Sequence, residues 1–150
     1  MASIRQLVTQ SGVDTFTAVA LALPALDGKS GYQINGIRAY WVDGAAVAAA
    51  DFSLTATVQV AATALTFADD EWIDGVAWGV QNTAGVAVAV PYEPMLEHML
   101  EEPRLTVQPS IYVAVGSAGT SQANDVIIEV YYETSKLSEL EYLRLLAGGA

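Results

Sequence analysis

The sequence predicts an all-β protein, an antiparallel β-sandwich with a short C-terminal helix. Three observations predict it. Apolar residues recur along the chain with a period of two, the mark of half-buried strands, and only rarely with the helical period of 3.6. Turn formers, among them 12 glycines, punctuate the chain about every 8–15 residues, the spacing of a sandwich or barrel of short strands. Finally, 150 residues without a cysteine make one domain large enough to bury a core with no disulfide or structural metal.

Taken in order, residues 1–12 read as an N-terminal arm, because Arg5 is followed by the polar mixture Gln6, Thr9, Gln10 and Ser11. The first strand spans 14–23 and is closed by Pro24; the second spans 32–42 and is closed by Asp43-Gly44. Between them, residues 27–31 are a loop of turn formers. The clearest strand is 52–61, with Phe52, Leu54, Ala56, Val58 and Val60 on one face and Ser53, Thr55, Thr57 and Gln59 on the other. Residues 72–81, the run 86–90 stopped by Pro91, and 105–107 leading past Pro109 into 111–116 follow. A small polar loop over 116–124 precedes the last strand, 126–133, which sets Val126, Ile128, Val130 and Tyr132 against Ile127, Glu129, Tyr131 and Glu133.

Two segments read as helix. Residues 94–102 lie between two prolines with Leu96 and Leu100 on one side. The C-terminal segment is better marked. Ser138 with Glu141 makes a capping box, Leu137 with Tyr142 a hydrophobic staple, and Leu140, Leu143 and Leu146 an apolar stripe that Gly148 ends. At about nine residues it is too short to stand alone, so it must dock on the sheet or on a neighbouring chain. Eight strands, long loops and a polar ending favour a single eight-stranded jelly roll over an immunoglobulin-like sandwich, whose Cys–Trp–Cys framework is absent. The expected organisation is one domain, 1–150, with the arm at 1–12 and the helix and tail at 137–150.

Composition excludes several function classes. Hydrophobic residues make up 53% of the chain and charged ones 15%, against roughly 25% in an ordinary domain, which excludes intrinsic disorder. Six basic against 17 acidic residues give a formal charge of −11, a field that repels phosphate backbones, so no direct nucleic-acid binding is expected. With Arg5 alone among the first ten residues there is no polybasic anchor. No secretory signal is read, nor a membrane-spanning segment: the charge-free windows 52–68 and 76–92 are broken by alternating polar residues and by Gln81, Asn82, Gly85 and Pro91.

The inventory for chemistry is thin, and the expectation is that the protein is not an enzyme. His98 is the only histidine, where a zincin needs a second one four residues away and jelly-roll metalloenzymes of the cupin type need several. There is no Gly-x-Ser-x-Gly elbow, and Gly28-Lys29-Ser30 lacks the upstream glycine of a phosphate loop. The imidazole reads as a surface or partly packed group. Asp69, Asp70 and Asp74, with Glu71, surround Trp72 and are the candidates for a structural calcium, the one cofactor weighed, because calcium gathers six to eight oxygens. They lack the EF-hand spacing, and a solvated acidic surface is the commoner meaning of such clusters. The same holds for Glu93, Glu97, Glu101 and Glu102, although paired carboxylates also occur in glycosidases. Trp72 or Trp78, if exposed, would give a carbohydrate-binding module its stacking platform; more often such residues are core or interface anchors.

A chain this poor in charge and rich in alanine and valine suits a protein that spends its life assembled, since interface cores are depleted in charge. The interface candidates are Leu137, Leu140, Tyr142, Leu143 and Leu146 of the C-terminal helix, together with Trp72, and the first expected partner is a second copy of the chain. On the strand count from Phe16 to Tyr132, the length, and 111–116 and 126–132 as a final strand pair, the chain resembles the single jelly-roll structural proteins of icosahedral viruses, particularly tailless bacterial or archaeal ones. The resemblance covers most of the chain and is one of architecture. It implies symmetric homo-oligomers in pentameric or pseudo-hexameric packing, other virion proteins as partners, and a place in the virion after assembly in the host cytoplasm. Shell proteins of small single-stranded genomes often carry a basic N-terminal arm, and residues 1–10 do not. That departure points to a subunit near an internal virion membrane, beside other shell proteins, or cementing a phage head from outside. The competing reading is a monomeric carbohydrate-binding sandwich using exposed tryptophan and acidic loops.

Overall fold

The computed structural model describes residues 1–25, 28–42, 52–60, 62–65, 72–80, 95–107, 110–120 and 122–148. Among them are β1 (Ala2–Thr9), β2 (Thr17–Ala20), β3 (Ser30–Trp41), β4 (Phe52–Gln59), β5 (Trp72–Val80), β6 (Met95–Thr106), β7 (Tyr112–Ala118), β8 (Asp125–Lys136) and α1 (Glu139–Gly148). The strands form two antiparallel four-stranded sheets, β1-β8-β3-β6 and β2-β7-β4-β5, that face each other as a sandwich. First pairs with last, second with seventh, third with sixth and fourth with fifth, as when one long hairpin is rolled into two layers.

Alternation along the strands fills the space between the sheets. Ile37, Ala39 and Trp41 of β3 and Val126, Ile128 and Val130 of β8 meet Leu54, Ala56 and Val58 of β4 and Val113 and Val115 of β7, all fully buried. Trp41 spans the two layers, its ring 5.5 Å from Phe52 and 5.7 Å from Trp78. Its indole nitrogen donates to Asn124 Oδ1 at 3.1 Å, and Asn124 donates to Gln10 Oε1 at 2.7 Å, so buried polar groups at that end of the sandwich satisfy one another.

The two outer faces differ. On the β2-β7-β4-β5 sheet, Thr57 and Gln59 are buried although they lie opposite the core face; Thr57 Oγ1 donates to Gln59 Oε1 at 2.9 Å, and residues 62–65 reach over Gln59 and Gly116. Gln59 Nε2 donates to the Ala64 carbonyl at 2.8 Å, and Leu65 packs so closely on Gly116 that a Cβ there would sit 2.6 Å from Leu65 Cδ1. On the β1-β8-β3-β6 sheet, large apolar side chains remain exposed.

Several expectations are corrected. Residues 2–9 are no arm: β1 pairs along its whole length with β8, with Ser3, Arg5, Leu7 and Thr9 on its outward side and Ile4 and Val8 on its inward side. The helix expected over 94–102 is not formed at 95–102, since Met95–Thr106 is an edge strand, and residue 94 lies outside the described residues. Leu96 and Leu100, four apart, satisfy a period of two as well as of 3.6, and pairing with β3 overrides the helix propensity of Met, Leu and Glu. Pro103 is tolerated there because it falls at an edge, opposite the irregularity between Ile34 and Gly36. The strand expected over 14–23 shrinks to Thr17–Ala20, since Asp14 adopts a left-handed turn with φ 52°. Segments 111–116 and 126–132 are not a strand pair; β7 and β8 lie in opposite sheets. The run 86–90 lies outside the described residues.

Candidate functional site

Register places residues of neighbouring strands side by side in rows. On the outside of the β1-β8-β3-β6 sheet one row reads Arg5–Glu129–Arg38–Glu97, and the next Leu7–Ile127–Tyr40–Met95. Both point outward because they flank the inward row Gln6–Ile128–Ala39–Leu96. In the apolar row Leu7 is 50% exposed, Ile127 36%, Tyr40 41% and Met95 49%. Such a row is unusual for a sheet face turned to water, which ordinarily carries polar residues. Met99 and Val42 extend the exposed apolar surface on either side.

The charged row is tightly knit. Arg5 Nε donates to Glu129 Oε2 at 2.7 Å and Arg38 Nη2 to Oε1 at 2.5 Å, while the Tyr131 hydroxyl donates to Oε1 at 2.9 Å. Arg38 also lies 5.9 Å from the centre of the Tyr131 ring, within cation–π range. Burial pushes the Glu129 carboxyl up, but hydrogen bonds from Arg5, Tyr131 and Arg38, with the Arg38 charge, outweigh it and bring it down to about 2. The same contact raises the Arg38 guanidinium above its ordinary value. The two rows border a concavity of about 410 Å³ lined by Arg5, Arg38, Tyr40, Met95, Ile127 and Glu129. Two arginines and two glutamates cancel, so this row is neutral on a chain of formal charge −11.

A second cluster joins the sheets at their β5 and β6 edges. The Asp74 side chain is wholly buried and accepts from the Gly75 amide at 2.8 Å and from Nδ1 of the half-exposed His98 at 2.7 Å. Burial pushes its carboxyl up, opposed by the His98 and Gly75 hydrogen bonds. Among the described residues no hydroxyl bonds to His98. The geometry of the pair is that of a clasp between the two sheets.

The residues singled out from sequence are dispersed. Asp74 turns inward within β5, away from any solvent-facing ion site, and Asp69 and Asp70 lie outside the described residues. No group of three or more candidate metal ligands occurs among the described residues. Trp72 is half-buried at the start of β5, whereas Trp78 is a core residue and offers no sugar platform. At α1 the capping box is present, with Glu141 N donating to Ser138 Oγ at 3.2 Å and Ser138 N to Glu141 Oε2 at 3.3 Å. Leu137 and Tyr142 are half-buried, but Leu140, Leu143 and Leu146 are 67%, 53% and 49% exposed, so the stripe does not dock on its own sheet. Sequence reasoning missed the sheet face itself; its one local signal was Ile127 on the polar side of the last strand.

Fold and site together define a two-layer antiparallel β-sandwich with one open, partly apolar sheet face. No protein-family model matches the chain, and no curated protein or solved structure matches it.

Proposed function

We propose that the protein is a non-enzymatic structural subunit that assembles with copies of itself, and that it serves as a shell or cement subunit of an icosahedral virus or phage. The observation that carries assembly is the outer face of the β1-β8-β3-β6 sheet, where four large apolar side chains stand in a row beside a neutral ladder of charges. Water covers such a row at a cost of about 25 cal/mol per Å² of apolar surface, which a second chain removes. The exposed leucines of α1 add a second surface of the same kind. First-to-last, second-to-seventh, third-to-sixth and fourth-to-fifth pairing supports a single eight-stranded jelly roll, and with it the virion reading. No described helix is long and apolar enough to cross a membrane. The excess of acidic residues argues for protein partners in the virion and against the genome itself.

The test is the mass of the purified protein by size-exclusion chromatography with light scattering, at low and high salt, followed by electron microscopy of any closed particle. A dimer, trimer, pentamer, hexamer or larger particle is expected. A strict monomer across micromolar concentrations in both salts overturns the reading, and a sugar-dependent change in tryptophan fluorescence would put a carbohydrate-binding module in its place.

A further inference from the structure

We infer that the outer face of the β1-β8-β3-β6 sheet packs on the same face of a second copy, related by a two-fold axis that runs parallel to the strands between β8 and β3. The inference rests on the assembly reading and goes on to fix the partner surface and its orientation. It follows from the order of charges. The row Arg5–Glu129–Arg38–Glu97 alternates in sign and has an even number of members. A two-fold parallel to the strands lays the row on itself in reverse order. Arg5 of one copy then faces Glu97 of the other, and Glu129 faces Arg38. Every position meets its opposite charge.

The alternative in-plane axis, along the row, sets Arg5 on Arg5 and Glu97 on Glu97, and like charges disfavour it. Under the first axis the apolar row is also self-matched, with Leu7 over Met95 and Ile127 over Tyr40. No other occupant is as well matched. An acidic partner would have to displace Glu129 from both guanidiniums, while a basic one would meet Arg5 and Arg38. The net charge of −11 makes most approaches between copies repulsive, whereas this row carries none of it. Four strands at about 4.8 Å spacing, over the length of β8, give a face on the order of 700 Å², close to the roughly 800 Å² per partner of stable complexes.

Because the chain has no cysteine, introduced thiols report only the contact they are placed in. Leu7 and Met95 stand three strand spacings apart, about 14 Å, too far for a bond within one chain. The double variant Leu7→Cys/Met95→Cys should therefore oxidise to a covalent dimer, and Leu7→Cys alone should not. Glu97→Arg should weaken association about tenfold for each of the two like-charge contacts it creates, and mixing it with Arg5→Glu should restore pairing as a heterodimer. Circular dichroism checks that Arg5→Glu, which sets a carboxylate beside Glu129, still folds; the thiol experiment stands without it. A wild type that assembles while the double variant stays uncrosslinked overturns this interface and leaves assembly intact. Crosslinking of Leu7→Cys alone overturns the orientation. A monomeric wild type overturns both.

Discussion

Replacing Glu129 with glutamine keeps its shape and removes the one charge against which two guanidiniums are set. The Glu129 side chain is 8% exposed, and its carboxyl is held at about 2 against an ordinary 4.5. At about 1.36 kcal/mol per pH unit that difference is worth roughly 3.4 kcal/mol as an upper bound. Arg5 is 67% exposed and its share is screened by water, which brings the expected loss to about 2–3 kcal/mol at pH 7. The folded value is the depressed one, so this stability is fully present above about pH 5. It declines as pH falls through 4.5 toward 2 and is gone below that. Urea unfolding of wild type and Glu129→Gln, at concentrations dilute enough to hold the monomer, should show the gap at pH 7 closing to nearly nothing at pH 2. A gap that stays constant between pH 7 and pH 3 would refute the reasoning, because it would mean that the shape of the side chain and not its charge organises the row.

Gly36→Ala should destabilise the fold by about 1–3 kcal/mol in thermal unfolding, since its Cβ would meet the His98 carbonyl and lie 2.9 Å from Met99 Cα, both backbone. Asn124→Ala should cost about 2–4 kcal/mol by denaturant titration, because it removes the side-chain bonds that Asn124 makes with the Trp41 indole and with Gln10 Oε1, while its backbone N–H still donates to Gln10 Oε1. Leu54→Ala, fully buried, should cost about 2–5 kcal/mol, and Leu140→Ala, 67% exposed, no more than about 0.5 kcal/mol in the monomer; equal effects on the unfolding midpoint would contradict the exposed position of the α1 stripe.

The all-β class was legible in sequence because alternation is a local property. Residues 32–42, 52–61, 72–81 and 126–133 correspond to β3, β4, β5 and β8, and the Ser138–Glu141 cap lies within a single turn. Edge strands were harder to read. In β1 the outward residues mix Arg5 with Leu7, and in β6 good helix formers occupy strand positions, so neither shows a clean apolar and polar side. The candidate face was not legible at all. Glu129 finds Arg5 from 124 residues away and Arg38 from 91, and only strand order and register bring them together. The Asp74–His98 clasp was hidden for the same reason, since its partners lie on strands of different sheets.

The pairing of β1 with β8 also sets a condition on synthesis. Among the described residues β1 has β8 as its sheet partner, from Ala2 opposite Tyr132 to Thr9 opposite Asp125. At about 5–20 residues per second, residues 2–9 wait on the order of ten seconds after leaving the ribosome before that partner exists. Strand β8 is also the element that holds β1 beside β3. A nascent or truncated chain ending before residue 125 already carries Arg5, Leu7, Arg38 and Tyr40, yet lacks the strand that aligns them. The outer face of this sheet therefore comes into being only once residues 125–136 have been made, and a chain that stops before them has no such face to present.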